Sequence, residues 1–230
     1  MYIKWKTESS VAMNEPECFI YEYEGEITGL NDDDDEIIIG KCKAMYIDVA
    51  SAFQRGFVIS DVFDEHSINL SQYYNHLFDL DRIFEDEANN TETLTCHPSE
   101  LFTAQINKLF DEYIIAPNIL IIDRVEILPE FRARKIGLNV ISHIMTRFSH
   151  GAGIIVLKPF PLQFEAKNLD DEGKQWQESL QLDALTKDSK KAQKKLEKLY
   201  RSLGFKLLPK SPFMVYNVAD GMPETPEIVV

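Results

Sequence analysis

A chain of 230 residues with 44% apolar content can bury a continuous core, which excludes global disorder, and none of its apolar runs reaches the ~18 residues a membrane span requires. The net charge of −14 is uneven: residues 1–116 carry 7 Lys/Arg against 24 Asp/Glu, and residues 117–230 carry 17 against 14. A nucleic-acid binder needs a basic surface to neutralise phosphates, and the acidic half argues against that class.

In chain order, the start MYIKWKTESS has neither the basic region nor the apolar stretch of a signal peptide. Cys18, Cys42 and Cys96 are odd in number and widely spaced, which argues against a disulfide framework or a CxxC pair and makes a reducing cytoplasm the expected setting. Residues 17–24 and 36–48 are rich in β-branched and aromatic types and are predicted strands. The glycines and acid run of residues 25–35 predict a loop between them. Asp32–Asp35 lack the alternate spacing and central glycine of an EF-hand and read as a solvated turn. Residues 68–80 place Leu70, Tyr73, Tyr74, Leu77 and Phe78 on one helical face. Residues 84–98 are polar and predicted as loop, and Ser99 is the expected cap of a helix with Phe102, Ile106, Leu109, Phe110 and Tyr113 on one stripe.

After Pro117, residues 118–128 form the clearest strand. Its first half is apolar on both faces, as in a strand covered on two sides. Its second half alternates, with Arg124 and Glu126 on one face and Val125 and Ile127 on the other. The following helix buries Ile136, Val140, Ile141, Ile144, Met145 and Phe148. Residues 154–158 make a second buried strand, which completes a βαβ-like unit. Residues 159–188 read as an excursion with one irregular helix around Trp176–Leu185. Residues 189–203 form a basic helix with Ala192, Leu196, Leu199 and Leu203 on its apolar stripe, ended by Gly204. Short strands follow near 205–208 and 213–218, and residues 219–230 are expected to be a loose tail.

The loop Pro129–Gly137 carries the chemistry. Arg132, Arg134 and Lys135 pack three cations into four positions of an acidic protein. They sit at a helix N-terminus, where unpaired N–H groups and the dipole attract anions. Small Ala133 and Gly137 let phosphate oxygens approach the backbone. Those features describe a pyrophosphate site, and equally a basic turn before an ordinary helix. His143 and Asn139 have no carboxylate or cysteine at metal spacing, Cys96-His97 has no partner cluster, and no metal is expected.

This stretch resembles the cofactor motif of the GNAT superfamily of N-acetyltransferases, Arg/Gln-x-x-Gly-x-Gly/Ala after a Val-x-Pro strand end. Ile127-Leu128-Pro129 stands at the strand end here, and Arg132, Ala133, Arg134, Lys135, Ile136 and Gly137 occupy the six motif positions. Arg132 and Gly137 match; Lys135 replaces the first glycine and is ill suited to positive φ. A second similarity is Tyr200 four residues before Gly204-Phe205 on the last helix, although Gln193 and Leu196 stand where the family often has Asn and Ala. The resemblance covers roughly residues 117–218, with 159–188 as an insertion and 1–116 as acidic, acceptor-side elements of the same single domain.

The resemblance implies an α/β (α+β) fold with a mixed central sheet flanked by helices, and acetyl-CoA held between two splayed parallel strands, 118–128 and 154–158. It implies backbone groups near Ile127 and Leu128 for the pantetheine arm, and the segment Arg132, Ala133, Arg134, Lys135, Ile136, Gly137 and Leu138 for the pyrophosphate. The implied activity is acetyl transfer from acetyl-CoA to a primary amine of a small molecule, peptide or protein. The −17 half fits a cationic acceptor by steering, or serves solubility alone. Glu126 is the candidate base, or a strand-face partner of Arg124. Tyr200 is the candidate acid for the leaving thiolate, or a packing aromatic. The alternative is a catalytically silent module that binds CoA or a partner protein. No nucleic acid and no membrane are expected among its partners.

Overall fold

The computed structural model describes residues 1–9, 14–31, 33–64, 68–79, 97–111, 113–165 and 170–228, and its strand-forming segments join in one seven-stranded mixed sheet flanked by helices. The strands are β1 (Tyr2–Glu8), β2 (Ile20–Leu30), β3 (Glu36–Ile47), β4 (Asn118–Ile127), β5 (Ala152–Leu157), β6 (Lys206–Leu207) and β7 (Met214–Asn217). Their order is β1-β2-β3-β4-β5-β7-β6. β4 and β5 are parallel and the other pairs antiparallel. The helices are α1 (Val49–Gln54), α2 (Ile59–Asp64), α3 (Ile68–Leu77), α4 (Ala104–Leu109), α5 (Ile136–Phe148), α6 (Asp171–Ser179) and α7 (Ser189–Arg201).

Each face of the sheet has its own core. Ile119 and Ile121 of β4 and Ile154 and Val156 of β5 join Phe63, Leu70, Leu77, Phe102 and Ile106 on the α1–α4 side. Leu120, Ile122, Ile155 and Leu157 join Val140, Ile141, Ile144 and Met145 of α5 and Leu203 and Phe205 beyond α7. A strand buried on both faces has no polar side to spare, which is why β4 opens with an unbroken apolar run.

Several expected elements differ. β1 and the short helices α1 and α2 have no predicted counterpart. Residues 16–19 form a 3₁₀ turn, and β2 runs through Gly25 and Gly29, which the sequence places in a loop. A Cβ at Gly25 would lie 2.6 Å from Cys42 Sγ and 2.9 Å from the Trp5 ring, so that glycine serves close packing in a strand. Thr103 rather than Ser99 precedes α4, and Tyr113 is exposed instead of joining its apolar stripe. Leu199 of α7 is also exposed. The expected loop 84–98 lies almost wholly outside the described residues. Part of the expected loose tail is bonded to α5: Asn139 Nδ2 donates to the Pro226 carbonyl (2.7 Å), and Ser142 Oγ meets Thr225 Oγ1 (3.1 Å). Among the described residues no helix is long and apolar enough to cross a membrane.

Candidate functional site

β4 changes its facing direction half-way along. Ile122 opposes Ala44 and Arg124 opposes Lys43, so Asp123 is an extra residue, a β-bulge. Before the bulge, even-numbered Leu120 and Ile122 face α5. After it, odd-numbered Val125 and Ile127 do. Strand side chains alternate with period two, so without Asp123 the charged pair Arg124 and Glu126 would point into the apolar core under α5.

The parallel pairing of β4 with β5 stops at Ile122–Leu157, while β4 continues to Ile127. The Leu128 N–H donates to the Ile39 carbonyl (2.9 Å), so Leu128 is committed to β3. By antiparallel alternation Glu126 also bonds β3, and the backbone groups of Val125 and Ile127 point the other way, past the end of β5. The Ile127 carbonyl on that side accepts from Arg132 Nε (2.9 Å). Of the two residues expected to offer backbone groups, Leu128 turns its N–H to β3, and Ile127 has its carbonyl bonded to Arg132. What faces the open side is the N–H of Ile127 and both backbone groups of Val125. Sequence reasoning missed Val125 because the bulge that sets its direction has no signature in residue type.

The basic loop sits at the end of this strand. Pro129–Phe131 make a 3₁₀ turn, and Ala133 (φ 63°) and Lys135 (φ 60°) are both left-handed. For non-glycine residues that conformation costs about 1–2 kcal/mol each. Lys135 thus takes the positive φ for which it is ill suited, at the position where the resembled motif has glycine. It is the N-cap residue of α5 and offers no side-chain cap, so the N–H groups of Ile136, Gly137 and Leu138 have no intrahelical acceptor. Ala133, Arg134 and Lys135 are exposed, whereas Ile136 and Leu138 are buried and anchor the helix start. The Arg134 guanidinium lies 5.5 Å from the Phe131 ring centre. Arg132 reaches in the other direction: besides Ile127 it donates Nη2–H to the Leu180 carbonyl at the end of α6.

On the opposite face of β4, Glu126 is 7% exposed and both of its oxygens are taken. Arg124 Nη1 donates to Oε1 (2.7 Å) and Trp176 Nε1 to Oε2 (2.6 Å). Arg124 Nη2 also holds Glu165 (2.5 Å), and the Lys41 ammonium lies 4.6 Å above the Trp176 ring. This arrangement fits the strand-face partner reading of Glu126 better than the base.

Tyr200 lies near the C-terminus of α7, half-buried against the same core that Val125, Ile127 and Ile136 join, and its ring meets Phe205 edge-on with centres 6.5 Å apart. Gly204 (φ 90°) makes the turn that brings Phe205 back under it. Burial pushes the Tyr200 phenol up to about 12, so it stays protonated throughout the neutral range.

The acidic N-terminal half forms a separate feature. A cleft of about 530 Å³ is lined by Glu8, Glu15, Glu17, Glu22 and Glu24 beside Cys18 and Tyr21. Glu22 pairs with Met45, which pairs with Ile121, whereas the basic loop follows Leu128 at the other end of β4. The cleft and the loop therefore sit at opposite ends of the sheet. Among the described residues no cluster of His, Cys, Asp and Glu is suited to hold a metal ion. Compared with protein-family models, with curated proteins and with solved structures, the chain matches none.

Proposed function

We propose that this chain is a GNAT-like, acetyl-CoA-dependent N-acyltransferase. The observation that carries the reading is that β4 runs on to Ile127 beyond its last pairing with β5, Ile122–Leu157, with a strained, tricationic loop and an uncapped 13-residue helix following its end. That overhanging stretch of β4 suits a pantetheine arm lying along it, bonded by the backbone of Val125 and Ile127. The N–H groups of Ile136, Gly137 and Leu138 then receive the pyrophosphate, with Arg134 and Lys135 beside it.

In the reaction so proposed, a primary amine that has lost its proton attacks the thioester carbonyl carbon, a C–N bond forms, and the C–S bond breaks. Tyr200 gives its proton to the departing thiolate and is restored from solvent. The amine's proton leaves to water, since the Glu126 oxygens are occupied by Arg124 and Trp176. A second reading, a module that binds CoA without chemistry, is favoured by that same engagement of Glu126.

Gly137→Asp separates the ligand role of the loop from its structural role. A Cβ at Gly137 meets no side-chain atom closer than 4.0 Å, and a carboxylate in a first helical turn favours the fold. The variant is expected to keep its melting temperature while calorimetric affinity for CoA falls at least tenfold. Unchanged affinity in the folded variant refutes the pyrophosphate site. Tyr200→Phe then decides between the two readings. Turnover of acetyl-CoA with a panel of polyamines and peptides is expected to fall ~10²–10⁴-fold, the usual contribution of a positioned acid. A wild-type protein that binds CoA and turns over no amine establishes the binding module instead.

A further inference from the structure

β4 carries two carboxylates, Asp123 and Glu126, in different surroundings. Glu126 has both oxygens bonded, to Arg124 and to Trp176. Asp123 is exposed and stands where both neighbours of β4 change. The bulge toward β3 falls on it, and the pairing with β5 ends one residue earlier, at Ile122–Leu157. Asp123 follows Ile119 and Ile121 at a strand's two-residue period, which puts its side chain on the α1–α4 side of the sheet. Two groups on that side feel its charge. Burial, and after it Asp123, pushes the Tyr73 phenol up. Burial lowers the Lys43 ammonium, but Glu22, Glu24 and Asp123 together raise it.

The place of Asp123 along the strand matches the reach of the proposed cofactor. A Cβ on Gly137, in the first turn of α5, would lie 4.0 Å from the side chains of Ile127 and Val125, so a pyrophosphate held at that turn starts its arm at the outer end of β4. Between phosphate and sulfur a pantetheine arm runs through about a dozen bonds, the length of roughly four residues of extended chain, or ~13 Å. Asp123 lies four strand residues inward of Ile127, which is also ~13 Å. Beyond that point β5 occupies the edge, since Leu157 pairs with Ile122. The thioester of a cofactor laid along the overhang therefore ends beside Asp123.

The charge there suits a cation. Lys43 Nζ is 2.5 Å from Glu22 and 3.7 Å from Glu24, so with Asp123 three carboxylates share one ammonium. Arg124, the next cation on this face, is matched by Glu126 and Glu165. We infer that Asp123 receives the acceptor: it pairs with the ammonium of a primary aliphatic amine arriving from the α1–α4 side, and keeps that nitrogen beside the thioester carbonyl until its proton has passed to water. The inference rests on the acyl-CoA reading of the site, and it names the side chain that selects a cationic acceptor.

Asp123→Asn keeps the size of the side chain and removes its charge. Spermidine and a lysine-bearing peptide are the probes. Turnover of acetyl-CoA is measured against the concentration of each, beside CoA affinity by calorimetry and the melting temperature. For a probe that the wild type turns over, KM is expected to rise about ten- to a hundredfold in Asp123→Asn, the worth of one charge-assisted hydrogen bond. The kcat should hold, because the interaction is made equally before and during attack. CoA affinity and melting temperature should stay at the wild-type values. Asp123→Glu restores the charge and should recover part of the loss. Added salt should raise KM in the wild type and much less in Asp123→Asn, which lacks the pair that salt screens. An unchanged KM in Asp123→Asn overturns the inference and leaves the functional reading intact. So does a variant whose CoA affinity and melting temperature fall together, since Asp123 then only shapes the strand. A wild-type protein that binds CoA and turns over neither probe is the binding module, and the inference falls with the enzyme reading.

Discussion

Lys135 ends the basic loop as the N-cap residue of α5. Its φ of 60° places a branched-off Cβ in the region that glycine occupies freely, and Ala133 two residues earlier repeats the strain at 63°. Two such outliers in one exposed loop persist only because Phe131 on one side and the buried Ile136 and Leu138 on the other fix its ends. Lys135→Gly removes the Cβ penalty and gains flexibility in the unfolded chain, two effects of opposite sign. The net expectation is stabilisation by ~1 kcal/mol, read as a higher denaturation midpoint. CoA affinity should fall, but less than in Gly137→Asp, because one cation beside the pyrophosphate is lost while the backbone N–H groups that meet it remain. A destabilised Gly variant means that the lysine side chain, not the backbone shape, is what the loop needs.

At the scale of elements, the parallel pair β4–β5 is shaped by two irregularities. Asp123 is the extra residue on the β3 side of β4, and Gly153 is skipped in the register between Asn118–Ala152 and Ile119–Ile154. A Cβ on Gly153 would lie 1.9 Å from the Ala116 carbonyl oxygen and 2.8 Å from Ile114. Backbone has to move to admit it, so Gly153→Ala is expected to cost at least the ~1–3 kcal/mol of ordinary overpacking. Urea denaturation measures this directly. A cost below that range indicates that the loop before β4 yields, and that the start of the pair is less fixed than its register implies. The excursion belongs to the same scale: Arg124, half-buried between Glu126 and Glu165, and Trp176, which donates to Glu126, tie a polar segment to the sheet.

Over the whole molecule, buried weak acids govern behaviour at high pH. Burial pushes the Cys42 thiol and the Tyr200 phenol up to about 12, and Tyr73 upward as well. In the unfolded chain these groups ionise near ~8.5 and ~10. Between those values and the folded ones the unfolded state binds fewer protons, so stability falls as pH rises. Their contribution is intact below pH ~8.5 and is lost progressively towards pH ~12. Denaturant midpoints taken at intervals from about pH 8 to about pH 11 should decline, more steeply above ~10 where the phenols join the thiol. Cys42→Ala should flatten the lower part of that decline. A flat profile means these side chains are not shielded from water.

The sequence by itself determined the elements whose pattern is local: the doubly apolar start of β4, the buried stripe of α5, the glycine-ended α7, and the cluster of Arg132, Arg134 and Lys135 before a helix. Those features follow from residue type and period, which short-range sterics and burial read directly. Tertiary structure decided the rest. Gly25 is a strand residue because Trp5 and Cys42 crowd it, and neither lies near it in sequence. Val125 faces the open side, and Glu126 faces Trp176, because a bulge at Asp123 inverts the alternation, and nothing in the side chain of Asp123 announces one. Arg132 is bonded to Leu180, 48 residues away, through a backbone carbonyl that every residue type carries equally. Contacts of that kind depend on where the chain returns in space, and so only the folded molecule could fix them.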